Sequence, residues 1–175
     1  MAGNLLVVHG GGPTAVINAS LYGAIRQAQA SPQVDRVLTA LGGTGGLLNE
    51  RLRDVTDLPD AVLCGLLSSP SSAIGTSRDA LETPEYEAML SILKKYNIRY
   101  VLMNGGNGTM DTCGKLYTRC SDSGIHVIGI PKTMDNDLGH QAFHLTITIP
   151  FCHFSSLRIP VTNMIPHKIE NCNIF

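Results

Sequence analysis

Tryptophan is absent from the 175-residue chain, and aromatic residues make up only 5% of it. Charge is sparse as well: 13 Lys and Arg against 14 Asp and Glu leave a formal net charge of -1. A balance so near neutral gives no support for nucleic acid or an anionic membrane surface as partner. No apolar run approaches the roughly 20 residues that span a bilayer. The opening MAGNLLVVHG has neither a basic n-region nor a cleavage pattern, so no signal peptide is expected. The five cysteines, Cys64, Cys113, Cys120, Cys152 and Cys172, are scattered and contain no CxxC pair. An odd set without pairs predicts reduced thiols in a cytoplasmic protein rather than a disulfide framework. What remains is 43% hydrophobic, the composition of one soluble globular domain that buries roughly 70% of its unfolded surface.

Glycine, by contrast, is plentiful and clustered, at 10–12, 42–46 and 105–108. Each cluster follows a short apolar run. Runs at 5–9, 36–41, 99–104 and 126–130 predict strands, and the near-continuous apolar character of these strands predicts cover on both faces. Helical periodicity is present at 15–30, 58–67, 83–98 and 109–122. Pro59 suits a first helical turn, and Thr83 followed by Pro84 reads as an N-cap with proline at the first helical position. Strands alternating with helices imply an α/β fold: an open, mostly parallel sheet with helices on both faces. Such sheets bind ligands at the carboxyl ends of their strands, where all three glycine clusters fall.

Four stretches carry chemistry. HGGGPTAVIN, between strand and helix, lets backbone N–H groups approach a phosphate at a helix N-terminus; equally, it reads as a tight turn that needs positive φ. It matches neither the dinucleotide fingerprint nor the Walker A loop. GGNGT at 105–109 has the same placement, and Asn107 and Thr109 there can offer oxygen to a phosphate or a hydrated metal. GTSR at 75–78 sets Arg78 after a small-residue loop, either as a two-pronged phosphate ligand or as an ordinary surface arginine. PKTMDND at 131–137 ends a strand with two carboxylates and a lysine. An Asp there can take a proton from an attacking hydroxyl and Lys132 can neutralise a transferring phosphoryl group; an Asx-rich turn accounts for the same residues.

Together, GGPTAVINAS (11–20), GTSR (75–78), GGNGTMDT (105–112) and GIPKTMDND (129–137) resemble the phosphofructokinases, in order and in spacing. The resemblance covers roughly residues 4–139. It implies a Rossmann-like N-terminal domain and transfer of phosphate to the 1-hydroxyl of fructose 6-phosphate, giving fructose 1,6-bisphosphate. It further implies Asp135 as catalytic base, with Thr133 and Asp137 holding the sugar and the transferring phosphate. Gly12, Arg78, Gly106, Gly108, Thr109 and Lys132 then bind the phosphates of the donor. Mg²⁺ is the implied cofactor, and Asn107 falls where the family commonly has an Asp near it; a neutral amide is the weaker Mg²⁺ partner. The full-length form is expected to be a homo-oligomer.

The resemblance bears on the donor too. Pyrophosphate-using members generally carry an Asp where this chain has Gly108, and that side chain crowds the nucleotide α-phosphate. Gly108 leaves the space open and points to ATP. Lys132 looks like the pyrophosphate type, and Thr44 lies near where an aromatic residue meets adenine in many ATP users. ATP is the expected donor, with pyrophosphate the alternative and a non-catalytic phosphate- or nucleotide-binding fragment a third reading.

After Gly139 the character of the chain changes. Residues 141–175 contain no glycine, a single acidic residue (Glu170), and His144, His153 and His167 without metal-ligand spacing. Two segments are therefore expected: 1–139, the donor-binding domain, and 140–175, an atypical tail, read as out-of-frame or disordered, or else as a genuine unusual C-terminus. On this reading the second, sugar-binding domain of the family is missing.

Overall fold

The computed structural model describes residues 2–132. Five strands form one sheet: β1 (Gly3–His9), β2 (Val34–Ala40), β3 (Leu52–Asp54), β4 (Ile98–Gly105) and β5 (His126–Pro131). Five helices flank it: α1 (Val16–Gln29), α2 (Gly43–Leu48), α3 (Asp60–Ser68), α4 (Thr83–Lys95) and α5 (Asn107–Cys120). The spatial order is β3-β2-β1-β4-β5. Every pairing is parallel except that of β3, which runs antiparallel to β2 at one edge.

The expected open, mostly parallel sheet is therefore present, and the side-chain period of two explains its cover. On one face Leu6, Val8, Leu38, Val101, Met103 and Val127 pack against Leu47 of α2, Met89 and Leu93 of α4, and Leu116 of α5. On the other, Leu5, Val7, Val37, Leu102 and Ile128 pack against Leu21, Ala24 and Ile25 of α1 and Leu63 of α3. β1 is buried along its whole length, so each of its leucines and valines contributes about 1.5–3 kcal/mol of hydrophobic stabilisation. Among the described helices, none is long and apolar enough to cross a membrane.

Local details differ from the sequence reading. Glu82, not Thr83, caps α4: a capping box pairs Glu82 with Glu85, whose carboxylate accepts the Glu82 N–H at 2.9 Å. Pro59 stands at the N-cap of α3 rather than inside its first turn. The cluster at 42–46 is itself a short helix, α2, starting from left-handed Gly42 and Gly43. Gly46 belongs there because a Cβ would come within 2.7 Å of the Leu41 carbonyl carbon.

Gly23, inside α1, has no such reason: a Cβ placed on it meets nothing within 4 Å. Gly23→Ala is expected to stabilise the fold by about 0.5–1 kcal/mol, because alanine restricts the unfolded chain and costs less helix entropy. Urea denaturation of both proteins checks this; an unchanged or lowered midpoint contradicts it.

Candidate functional site

Because β1 lies between β2 and β4, the chain leaves β1 toward one side of the sheet and β4 toward the other. The crevice between the two departing loops is a topological switch point, where sheets of this kind bind ligands. A cavity of about 830 Å³ occupies it. Its walls include Gly12, Arg78, Gly106, Asn107, Gly108, Thr109 and Lys132. Every donor-phosphate candidate read from the sequence, and the metal candidate Asn107, thus meet in one place. Thr133, Asp135 and Asp137 lie outside the described residues, as does the tail 140–175.

Two cations meet the first loop at Gly12. Lys132 donates its backbone N–H to Gly105 O at 2.8 Å and its ammonium to Gly12 O at 2.7 Å, tying the end of β5 across β4 to that loop. Arg78 approaches the same glycine, with Nη2 3.7 Å from where a Gly12 Cβ would stand. The Gly11 N–H is donated to Ser77 O at 3.2 Å, so the Arg78 segment is stitched to the β1 loop. Left-handed Gly11, at φ +73, makes the turn.

Helix ends complete the wall. α5 begins at N-cap Gly106 with no side-chain cap, so the first N–H groups of the helix open toward the cavity. Neither α1 nor α5 carries an acid in its first turn, whereas α3 has Asp60 and α4 has Glu85. The helix ends nearest the cavity thus keep their positive partial charge for an anion. Thr109 both lines the cavity and packs closely on the strand ends: it is 8% exposed, and a Cβ on Gly10 or Gly105 would run into its hydroxyl.

Opposite, Thr44, Ser77 and Asp79 form a polar cluster. Asp79 Oδ2 accepts hydrogen bonds from Thr44 Oγ1 and Ser77 Oγ, each at 2.5 Å. Burial pushes the Asp79 carboxyl up, but hydrogen bonds from Ser77, Thr44 and the Gly45 N–H outweigh it and hold the group below its ordinary value. Asp79 is the one carboxylate among the described residues lining the cavity, and it is already engaged. Mg²⁺ is held by one or two carboxylates together with substrate phosphates, and the described residues contain no cluster of His, Cys, Asp or Glu that could hold a metal. They do not by themselves fit this ion.

His9, at the end of β1, is fully buried and lines the same cavity. Its Nδ1 lies 2.8 Å from Ser72 Oγ, and Ser72 donates its one hydroxyl hydrogen to Gly75 O at 3.1 Å. The imidazole must therefore donate from Nδ1 and carry its lone pair on Nε2, which has no partner among the described residues. Burial pushes its pKa down from 6.5 to about 4. Sequence reading missed His9, Ser72 and Asp79, and gave Ser77 no role although it lies within GTSR. His9 passed as the end of an apolar run, and Ser72 and Asp79 lie in an irregular stretch with no periodicity.

An open, mostly parallel sheet with glycine loops and helix N-termini at its switch point defines an α/β domain of the doubly wound class. The phosphofructokinase family model matches residues 4–147. The chain belongs to the phosphofructokinase family. It is 40% identical over 143 residues to the pyrophosphate–fructose 6-phosphate 1-phosphotransferase of Xanthomonas campestris pv. campestris, a match covering 78% of this chain and 34% of the relative. It is 30% identical over 140 residues to the ATP-dependent 6-phosphofructokinase of Propionibacterium freudenreichii subsp. shermanii, covering 75% of this chain and 35% of that one. The pyrophosphate-dependent phosphofructokinase structure from Nitrosospira multiformis superposes with a TM-score of 0.74 at 36% identity, covering 80% of this chain and 36% of the other. The chain thus spans about a third of the length of the relatives it matches.

Proposed function

We propose that this chain carries the phosphoryl-donor side of a phosphofructokinase active site, taking part in phosphate transfer from ATP to the 1-hydroxyl of fructose 6-phosphate. The observation that carries this reading is the meeting of Gly12, Arg78, Lys132 and the α5 N-terminus around one cavity. Phosphoryl transfer depends on positioning and on neutralising charge spread over the phosphate oxygens. Arg78 presents a planar fork of donors, Lys132 a point charge, and the first N–H groups of α5 a fixed dipole. Asp135, by family resemblance the base, takes the proton of the sugar hydroxyl, a contribution typically of ~10²–10⁴ in rate.

For the donor, the supporting observation is Gly108. It opens onto the cavity, and a Cβ there meets nothing within 4 Å. Neither packing nor a left-handed backbone requires glycine at this place, so its missing side chain is room for a ligand. Pyrophosphate is the second reading, favoured by the relatives named for that donor and by Thr44. The Thr44 hydroxyl is tied to Asp79 and the residue is 8% exposed, so it offers no platform to an adenine ring.

Calorimetric titration of the purified chain with ATP and with pyrophosphate, each with Mg²⁺, decides between them. Tighter binding of ATP, by about tenfold or more, is the expected result. Preference for pyrophosphate would overturn the ATP reading and leave the donor site in place. Binding of neither would remove the donor-site reading itself.

A further inference from the structure

The segment that brings Arg78 to the cavity, residues 69–78, has no regular secondary structure between the end of α3 and the site. It contains Ser71 at φ 61 and Gly75 at φ +72, and within it only a turn is closed locally, where the Gly75 N–H is donated to Ser72 O at 3.2 Å. Contacts from other elements fix the rest of it. Asn18 of α1, fully buried, donates from Nδ2 to Ser69 O at 3.0 Å and to Ser71 O at 3.2 Å, and accepts the Ala73 N–H on Oδ1 at 2.8 Å. His9, reaching out from the end of β1, donates to Ser72, which passes its own hydrogen to Gly75 O. The Gly42 N–H is donated to Ile74 O at 2.8 Å, and the Gly11 N–H to Ser77 O at 3.2 Å.

We propose that the buried relay His9–Ser72–Gly75, together with Asn18, is a positioning device that sets Arg78 over Gly12 before the donor arrives. The inference rests on the reading of Arg78 as a donor-phosphate ligand. A flexible loop would carry the same guanidinium, but binding would then have to order it, and that ordering lowers affinity without changing any contact. His9 suits the task because its tautomer is fixed by Ser72 and because burial keeps it neutral. A charged imidazole would demand a partner where the described residues provide none. None of His9, Asn18 and Ser72 touches the donor in this scheme; each acts through Arg78.

The test is a set of calorimetric titrations with whichever of Mg²⁺–ATP or Mg²⁺–pyrophosphate the native chain binds more tightly. Ser72→Ala and His9→Leu are expected to weaken binding roughly five- to tenfold, the cost of ordering one long side chain. His9→Asn, whose amide nitrogen can stand in for Nδ1, should stay within about twofold of native. In an Arg78→Ala background, Ser72→Ala should change affinity less than about twofold, because the residue it positions is gone. A merely structural role would weaken binding equally in both backgrounds, and that result overturns the proposal. So does native affinity in Ser72→Ala while Arg78→Ala is weak. An Arg78→Ala variant that binds as well as native removes the donor-site role of Arg78 and this proposal with it. Ser72 is only half-buried, so Ser72→Ala carries the test if His9→Leu fails to fold.

Discussion

Gly108→Asp should leave the fold intact and cost the chain its affinity for ATP by about tenfold or more, with pyrophosphate binding little changed. Position 108 is in the first turn of α5, where an aspartate complements the helix dipole by about 0.3–1 kcal/mol and replaces the poorest helix former except proline. A Cβ there has open space around it, so the melting temperature should hold or rise by a few degrees. The new carboxylate would face the cavity, and at ~4 Å from a nucleotide phosphate two like charges repel by roughly 1–4 kcal/mol in a watery to half-shielded site. Pyrophosphate has no third phosphate to place beside it. Native-like ATP affinity in this variant would leave Gly108 without a role in choosing the donor.

Acid should destabilise the protein earlier than its carboxylates alone can explain. The His9 imidazole titrates near 6.5 when unfolded and about 4 when folded. Below 6.5 the unfolded chain therefore binds a proton that the native state refuses, so stability falls as pH falls through this window and is unaffected above it. Roughly 2 kcal/mol is lost by pH 5 and about 3 kcal/mol once both forms are protonated. Asp54 and Asp79, held below their ordinary values by hydrogen bonds that outweigh burial, act in a lower window, as pH drops through the carboxylate range. Urea denaturation of native and His9→Asn proteins between pH 7 and 4.5 separates the two. The native stability should slope over this range, while the variant stays nearly flat down to pH ~5. Parallel slopes would mean that His9 is not the group responsible.

What could be read in advance follows from which elements bury an apolar face. β1, β2, β4 and β5 are apolar runs covered on both sides, and α1, α4 and α5 show their amphipathic period. All seven were legible to within a few residues. β3 was not, because Leu52 is half-buried and Arg53 and Asp54 are exposed: three residues at an edge carry no alternation. α2 was hidden by glycines, which are poor helix formers and stand here because Gly43 and Gly46 pack against neighbouring backbone. In the site, the glycine loops and the cations were legible because their chemistry is local in sequence. The contacts that hold them are not: His9 reaches Ser72 across 63 positions and Asn18 reaches Ser71 across 53. No pattern in a single stretch announces such a pair.

The central place of β1 also governs how the molecule comes into being. Leu5 pairs with Tyr100 as well as with Val37, so one flank of the first strand stays open until about a hundred residues have followed it. Closing so long a loop costs entropy before any contact rewards it, and parallel pairings of this span are slow to form. Through that interval a nascent chain presents an unpaired strand edge between two apolar faces, the kind of surface on which wrong partners assemble. The cavity lies along the seam that this late pairing closes. The walls of the cavity and the cover of that flank thus begin to form in the same step, when β4 docks, and the end of β5 adds Lys132 afterwards.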